Sequence, residues 1–270
     1  MWKRKLTELY FSQSALAVYQ QCRLKFRRRY LDGLYWPQNW YGSSAQQQAI
    51  EQGQLFHRLA QRYYARGEVL PARLLPEKVA GWFQRLRDFR PYNQLDLFRP
   101  EQELRVNTGG IKLVAKFDLL YINQSKQQVL IYDWKTNDRP LGGGNWSQKL
   151  QTIVYLYVLA QAGRPYFPGN KLSGEDLSLI YWNPRFPGQL ITVRYSKEML
   201  QQNRDFLKSK LTEIKALPYE EFRATDKQAI CRRCEYRPLC HGQGADYLEL
   251  VDDDELEAEL NWEEIDQLQY

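Results

Sequence analysis

The sequence predicts an α/β fold, with a mixed-sheet core, an N-terminal helical region packed against it and a cysteine-bearing C-terminal segment. Three observations predict it. Apolar residues recur at helical spacing through 12–89, strand-like runs rich in β-formers start near 102, and a further helical stretch separates the third such run from the fourth.

The elements follow in order. Residues 12–31 read as a helix that Ser12 or Ser14 can cap and Gly33 can end, with a basic face of Arg23, Lys25, Arg27, Arg28 and Arg29. A loop is expected at 36–44, a long helix at 44–66 ending at Gly67, and a third helix near 76–89. Strands are expected at 102–107 and 111–121, joined by Asn107-Thr108-Gly109-Gly110, and at 128–135. A Gly-rich connection at 140–146 leads to a helix at 147–162, strands at 177–182 and 189–195, and a helix at 196–216. The division expected is 1–245, with a helical region at 12–100, a mixed-sheet core at 101–216 and a cysteine-bearing segment at 217–245, followed by an acidic tail at 246–270.

Charge is distributed unevenly over the 270 residues. The tail holds eleven acids and no Lys or Arg, which leaves 38 basic and 21 acidic residues in 1–245, a balance of +17. A body that basic attracts polyanions. There is no run of about 18 apolar residues to cross a membrane. The N-terminus lacks a continuous apolar stretch followed by a small-residue cleavage site, so no signal peptide and a cytoplasmic location are expected. Four cysteines in a cytoplasmic chain, Cys22, Cys231, Cys234 and Cys240, point to metal ligation rather than disulfides. Residue types alone leave zinc and iron–sulfur both open, since both accept four thiolates.

The most informative segment is 118–135. Asp118 and Asp133 each lie in an apolar strand, and a buried carboxylate needs a partner or a metal. A turn about Ser125-Lys126 pairs position i with 251 minus i, which sets the two acids opposite each other. Like charges facing across a ladder are destabilising, and a divalent ion relieves them; oxygen ligands suit Mg²⁺ or Mn²⁺. Lys135, two residues past Asp133, shares its sheet face. His57 lies mid-helix, one turn after Gly53, which lets that helix approach the sheet closely. Gln151 and Tyr155, spaced i and i+4, share one face of a helix.

In this order, Gly53–His57 as G-x-x-x-H, Asp118, Asp133-Trp134-Lys135 and Gln151–Tyr155 as Q-x-x-x-Y resemble the RecB-like branch of the PD-(D/E)XK nucleases. Cys22 with the C-x2-C-x5-C of 231–240 resembles its four-cysteine iron–sulfur subgroup, which includes the AddB nuclease domain and the CRISPR-associated RecB-like exonucleases. The resemblance covers about 12–240. Two positions depart from the pattern: Ala115 stands where a Gly is common and Arg23 where a Pro is common.

The resemblance implies a restriction-endonuclease-like core and a Mg²⁺- or Mn²⁺-dependent DNA exonuclease of recombination, repair or CRISPR adaptation, leaving a 5′-phosphate. His57, Asp118, Asp133 and the Trp134 carbonyl would hold the ion, Lys135 would be the catalytic lysine, and Gln151 and Tyr155 would position the strand. Glu103 is a further candidate acid. The four cysteines would bind a [4Fe–4S] cluster, with Zn²⁺ the alternative. DNA is the expected partner, with a helicase or CRISPR adaptation proteins beside it and no membrane. Tyr35, Trp36, Trp40 and Tyr41 are candidates for stacking on bases. The competing class is a non-catalytic, metal-stapled nucleic-acid-binding module, or a subunit of a helicase–nuclease complex.

Overall fold

The computed structural model describes residues 5–34, 44–123, 125–126, 128–167 and 177–244. The loop expected at 36–44 and its aromatic residues fall almost wholly outside these, as does the acidic tail.

The N-terminal helix forms with a break. Helix α1 (Gln13–Gln21) starts where the Ser12 hydroxyl accepts from the Ala15 amide. Cys22 is extended, with φ −158° and ψ 115°, and its sulfur accepts from the Lys25 amide at the start of α2 (Arg23–Phe26). A π-helical turn, Arg27–Leu31, follows. One continuous helix over 12–31 is therefore corrected to two, with Cys22 at the joint. The expected basic face also divides, because Lys25 and Arg29 are buried against Glu235.

Helices α3 (Ser44–Arg66) and α4 (Glu77–Phe89) lie where the apolar spacing sets them. Strands β1 (Leu97–Thr108) and β2 (Ile111–Asn123) form an antiparallel hairpin closed by Gly109 and Gly110, both at positive φ as a two-residue hairpin turn requires. β1 starts earlier than expected, despite Pro100, because it is an edge strand and can spare a ladder donor. Strand β3 (Gln128–Trp134) adds antiparallel to β2, α5 (Leu150–Ala162) crosses over, and β4 (Leu177–Trp182) adds parallel to β3. Strand β5 (Leu190–Arg194) completes a five-stranded mixed sheet in the order β1-β2-β3-β4-β5. Helix α6 (Lys197–Ala216) leads to the short helices α7 (Gln228–Arg233) and α8 (Arg237–His241).

The sheet separates two apolar clusters. One unites α1, α5 and α6 with one sheet face, and the other unites α3 and α4 with the opposite face. In β3 and β4 the side chains alternate strictly, 129 and 131 to the first cluster and 132 and 134 to the second. In β2 the alternation inverts: Leu113, Ala115 and Phe117 enter the first cluster, but so do Leu120 and Ile122. The same inversion occurs in β1, where Leu104 and Val106 face the first cluster and Phe98 the second. The register is the same on either side, so both strands step together at Asp118 and Glu101. Glu101 takes φ +53°, a left-handed value that no other described non-glycine residue adopts. Such a residue costs about 1–3 kcal/mol and persists where its surroundings over-determine it.

Candidate active site

The matched irregularity in β1 and β2 is where the polar side chains gather. The β2–β3 pairs run from Asn123↔Gln128 to Leu119↔Tyr132, the register expected from the sequence. At the next step the ladder ends, and the Trp134 amide donates to Asp118 Oδ2 at 2.7 Å instead of to a carbonyl. Asp118 thus stays beside Asp133 while its other oxygen, Oδ1, meets His57 Nδ1 at 3.3 Å.

His57 reaches Asp118 because α3 comes close to the strand end. A Cβ on Gly53 would lie 2.8 Å from Thr136 Oγ1, inside normal contact, and Thr136 directly follows Lys135. Gly53 sits one turn before His57, so close approach at the first places the second.

Ligand atoms of His57, Glu101 and Asp118 lie within 4.8 Å of one another. Glu101 is held on its other side by Lys116, Nζ to Oε2 at 2.9 Å. Sequence reasoning chose the neighbouring acid: the Glu103 carboxylate pairs with Arg105 at 2.7 Å. Glu101 leaves the regular alternation of its strand, and its left-handed backbone carries no mark in the sequence.

Asp133 and Lys135 are almost fully buried, 4% and 3% exposed. Lys135 Nζ stands 2.9 Å from Asp133 Oδ1. Gln151, at the start of α5, joins them: it donates to Asp133 Oδ2 at 2.8 Å and accepts from Lys135 Nζ at 3.0 Å. One turn on, Tyr155 packs edge-on against Phe117, with ring centres 5.1 Å apart. Asp133 is outside the tight group of three, because its carboxylate is turned to the lysine and the amide.

The electrostatics follow from this crowding. Burial opposes charge on His57, but Asp118, with Glu101 and Asp133 behind it, outweighs burial and raises the imidazole to about 9. Burial likewise opposes charge on Asp118, and the His57 cation and Trp134 amide overcome it, leaving that carboxyl below its ordinary value. Asp133 is driven the other way by burial, with Lys135 countering and Asp118 adding to the rise. The two clustered carboxylates, Glu101 and Asp118, offer the hard oxygen donors that Mg²⁺ or Mn²⁺ takes, with the His57 imidazole beside them.

A second group forms at the far end of α1. Cys22, Cys231, Cys234 and Cys240 line one cavity with Lys25 and Arg28. Arg28 Nη1 donates to Cys240 Sγ at 2.9 Å. Behind the cavity Glu235, 1% exposed, pairs with Lys25 at 3.1 Å and Arg29 at 2.6 Å. Burial pushes the Cys234 thiol up to about 12, with Glu235 adding to the rise. Four thiols lining one cavity are the residue type that a thiolate-held metal centre takes, although the tight ligand group among the described residues is that of His57, Glu101 and Asp118. The sequence singled out all four cysteines but not Glu235, whose one signal is an acid set among Arg232, Arg233 and Arg237.

The fold and the acidic group define an α/β protein of the restriction-endonuclease-like kind with a carboxylate–histidine group of the type a divalent cation can use. Residues 10–241 match the family described as the PD-(D/E)XK nuclease superfamily, and the chain belongs to it. The solved structure from Eubacterium rectale named "Putative exonuclease" aligns at a TM-score of 0.52 over 90% of this chain and 91% of that one. At 12% identity it shows likeness of fold. A second structure, SSO0001, aligns at 0.38 with 15% identity over 87% of both chains. No curated protein matches the chain. Among the described residues no helix is long and apolar enough to cross a membrane.

Proposed function

We propose that the chain is a Mg²⁺- or Mn²⁺-dependent deoxyribonuclease of the RecB-like branch, acting as an exonuclease on single-stranded or end-processed DNA in recombination, repair or CRISPR adaptation. One observation carries the reading: the His57–Glu101–Asp118 group stands beside a buried lysine that Gln151 holds against Asp133.

His57, Glu101 and Asp118 would hold the ion, with Asp133 Oδ1 as a further donor. That oxygen is buried and, among the described residues, has no hydrogen-bond partner apart from its ion-pair contact with Lys135. Glu101 takes the place given above to Glu103. A bound divalent ion supplies a Lewis acid for a phosphoryl oxygen and a water of lowered pKa. Lys135 presents a cation to the scissile phosphate as charge develops there, and its burial keeps that charge poorly screened. Gln151 fixes the direction of Lys135, since it both accepts from the ammonium and donates to Asp133. Tyr155 bears on the strand through α5, and the basic body follows the phosphate backbone without sequence preference.

The four cysteines would bind a [4Fe–4S] cluster that ties the N-terminal helices to the segment after α6. Support comes from their convergence on one cavity and from the resemblance of their spacing. Protein purified without oxygen is expected to be brown and to contain iron and sulfide; a colourless protein with one zinc would replace the cluster and keep the staple.

The test of the nuclease reading uses end-labelled single- and double-stranded oligonucleotides with and without Mn²⁺. Cleavage only with the ion is expected. No hydrolysis of either substrate by folded protein in Mn²⁺ would overturn it.

A further inference from the structure

The Lys135 ammonium has a neighbour besides Asp133 and Gln151. It stands over the Tyr181 ring, 5.3 Å from the ring centre. Tyr181 lies in β4, directly beside Asp133 in the parallel ladder, and is 0% exposed. Residues paired across a ladder present their side chains to the same sheet face, here the face that α5 covers. The ring is itself fixed. Its hydroxyl shares a hydrogen bond with the Thr152 hydroxyl at 2.8 Å, and Trp146 packs on it with ring centres 4.7 Å apart. Thr152 directly follows Gln151 on α5, so the same tie holds β4 against the helix that supplies the amide to Lys135.

We infer that Tyr181 is a positioning residue for Lys135, holding its ammonium by the ring face. This rests on the reading of the site as a metal-dependent nuclease. A lysine stem is long and flexible, so the direction of its ammonium is set by what that end touches. A second carboxylate at the β4 wall would hold the cation too, but it would offset the charge that the scissile phosphate needs. An aromatic face attracts a cation through its quadrupole, within about 6 Å of the ring centre, and carries no net charge. Asp133 and Gln151 hold the ammonium at 2.9 Å and 3.0 Å from β3 and α5, and the ring bears on it from β4. The ring is effective there because the lysine is 3% exposed, and a desolvated cation feels an aromatic face more strongly than a hydrated one.

The experiment reads the single-turnover rate on a labelled oligonucleotide in saturating Mn²⁺, and oligonucleotide affinity in Ca²⁺. Melting curves set a temperature at which every variant compared is folded. Wild type is compared with Tyr181→Phe, with Tyr181→Met, and with protein carrying phenylalanine of one, two or three ring fluorines at position 181. Fluorine withdraws charge from the ring face and leaves its shape nearly unchanged. Tyr181→Phe should keep most of the rate, because the ring remains. The rate should then fall step by step with each fluorine. Tyr181→Met, which fills the space without a ring face, should be about tenfold slower than Tyr181→Phe, the scale of a desolvated contact between a cation and a ring. Oligonucleotide affinity should stay within about twofold throughout, because it comes from dispersed phosphate contacts. A flat rate across the fluorinated series would overturn the inference, and would do so even if Tyr181→Met failed to fold. An equal loss in Tyr181→Phe and Tyr181→Met would assign the effect to the Thr152 hydrogen bond and overturn it as well. Wild-type protein that does not cleave in Mn²⁺ would instead fail the nuclease reading itself.

Discussion

The two polar centres are built on opposite charge plans. At the strand irregularity Glu101, Asp118 and Asp133 crowd together, and His57, Lys116 and Lys135 offset them one by one. Around the cysteines the cations are in excess: Lys25, Arg28 and Arg29 face a single buried acid, Glu235. The first arrangement favours a positive ion among the acids. The second favours a negative centre, as four thiolates around iron would be. The first is assembled largely by one hairpin and the helices on either side of the sheet, the second by segments from the two ends of the described chain. Loss of a group from the first should therefore affect chemistry, and loss from the second should affect folding.

The largest contrast is expected for Asp133→Asn and Lys135→Ala. Cleavage of labelled oligonucleotide should fall by at least ~1000-fold, the scale of a charge that acts on the transition state. DNA affinity should change little, because it comes from dispersed phosphate contacts. Full activity in either variant would remove the site assignment.

Cys22→Ala should do the opposite. It should lose the metal centre and about 3–5 kcal/mol of stability, as expected when a constraint closing a very long loop is removed. Denaturant unfolding and metal content read this directly, and activity should fall only as folded protein is lost. Unchanged stability, with no metal in the wild type, would sink the staple.

A pH series sharpens the contrast within the first centre. With His57 raised to about 9, above its ordinary 6.5, the imidazole is charged and paired with Asp118 at neutral pH. This pair stabilises the ion-free protein fully below about pH 6.5, and the contribution fades as pH rises through about 9. An ion needs the neutral imidazole, so Mn²⁺ affinity should rise across the same interval, with release of about one proton per ion at pH 7. Calorimetry in buffers of different ionisation enthalpy counts that proton; a count near zero would exclude His57 as a ligand.

Gly53→Ala should give the smallest effect. Helix propensity favours Ala by about 1 kcal/mol, but the new methyl must displace Thr136 Oγ1. Stability should shift by no more than about 1 kcal/mol in either direction. Mn²⁺ affinity should weaken several-fold, as the helix that carries His57 is moved away from Asp118. An unchanged Mn²⁺ affinity would separate the helix approach from the site.

Much of this was legible in the sequence because the signals are local. The turn at Ser125-Lys126 and the alternation of β3 set the register that brings Asp118 beside Asp133. Gly53 four residues before His57 marked a close helix approach, and the structure places Thr136 at that contact. Helices α3 and α4 and the strands after them follow from apolar spacing, punctuated by Gly and Pro.

What the tertiary structure decided is non-local. Glu101 rather than Glu103 belongs to the acidic group because β1 and β2 invert their alternation together, and neither strand alone encodes that step. Lys25 and Arg29 look like surface charges on a helix. They are buried because Glu235, 206 residues after Arg29, enters between them with a matching charge. A residue's type and spacing state which partners it can accept. Only the folded chain determines which partner arrives, because burial makes an unpaired charge too costly to leave.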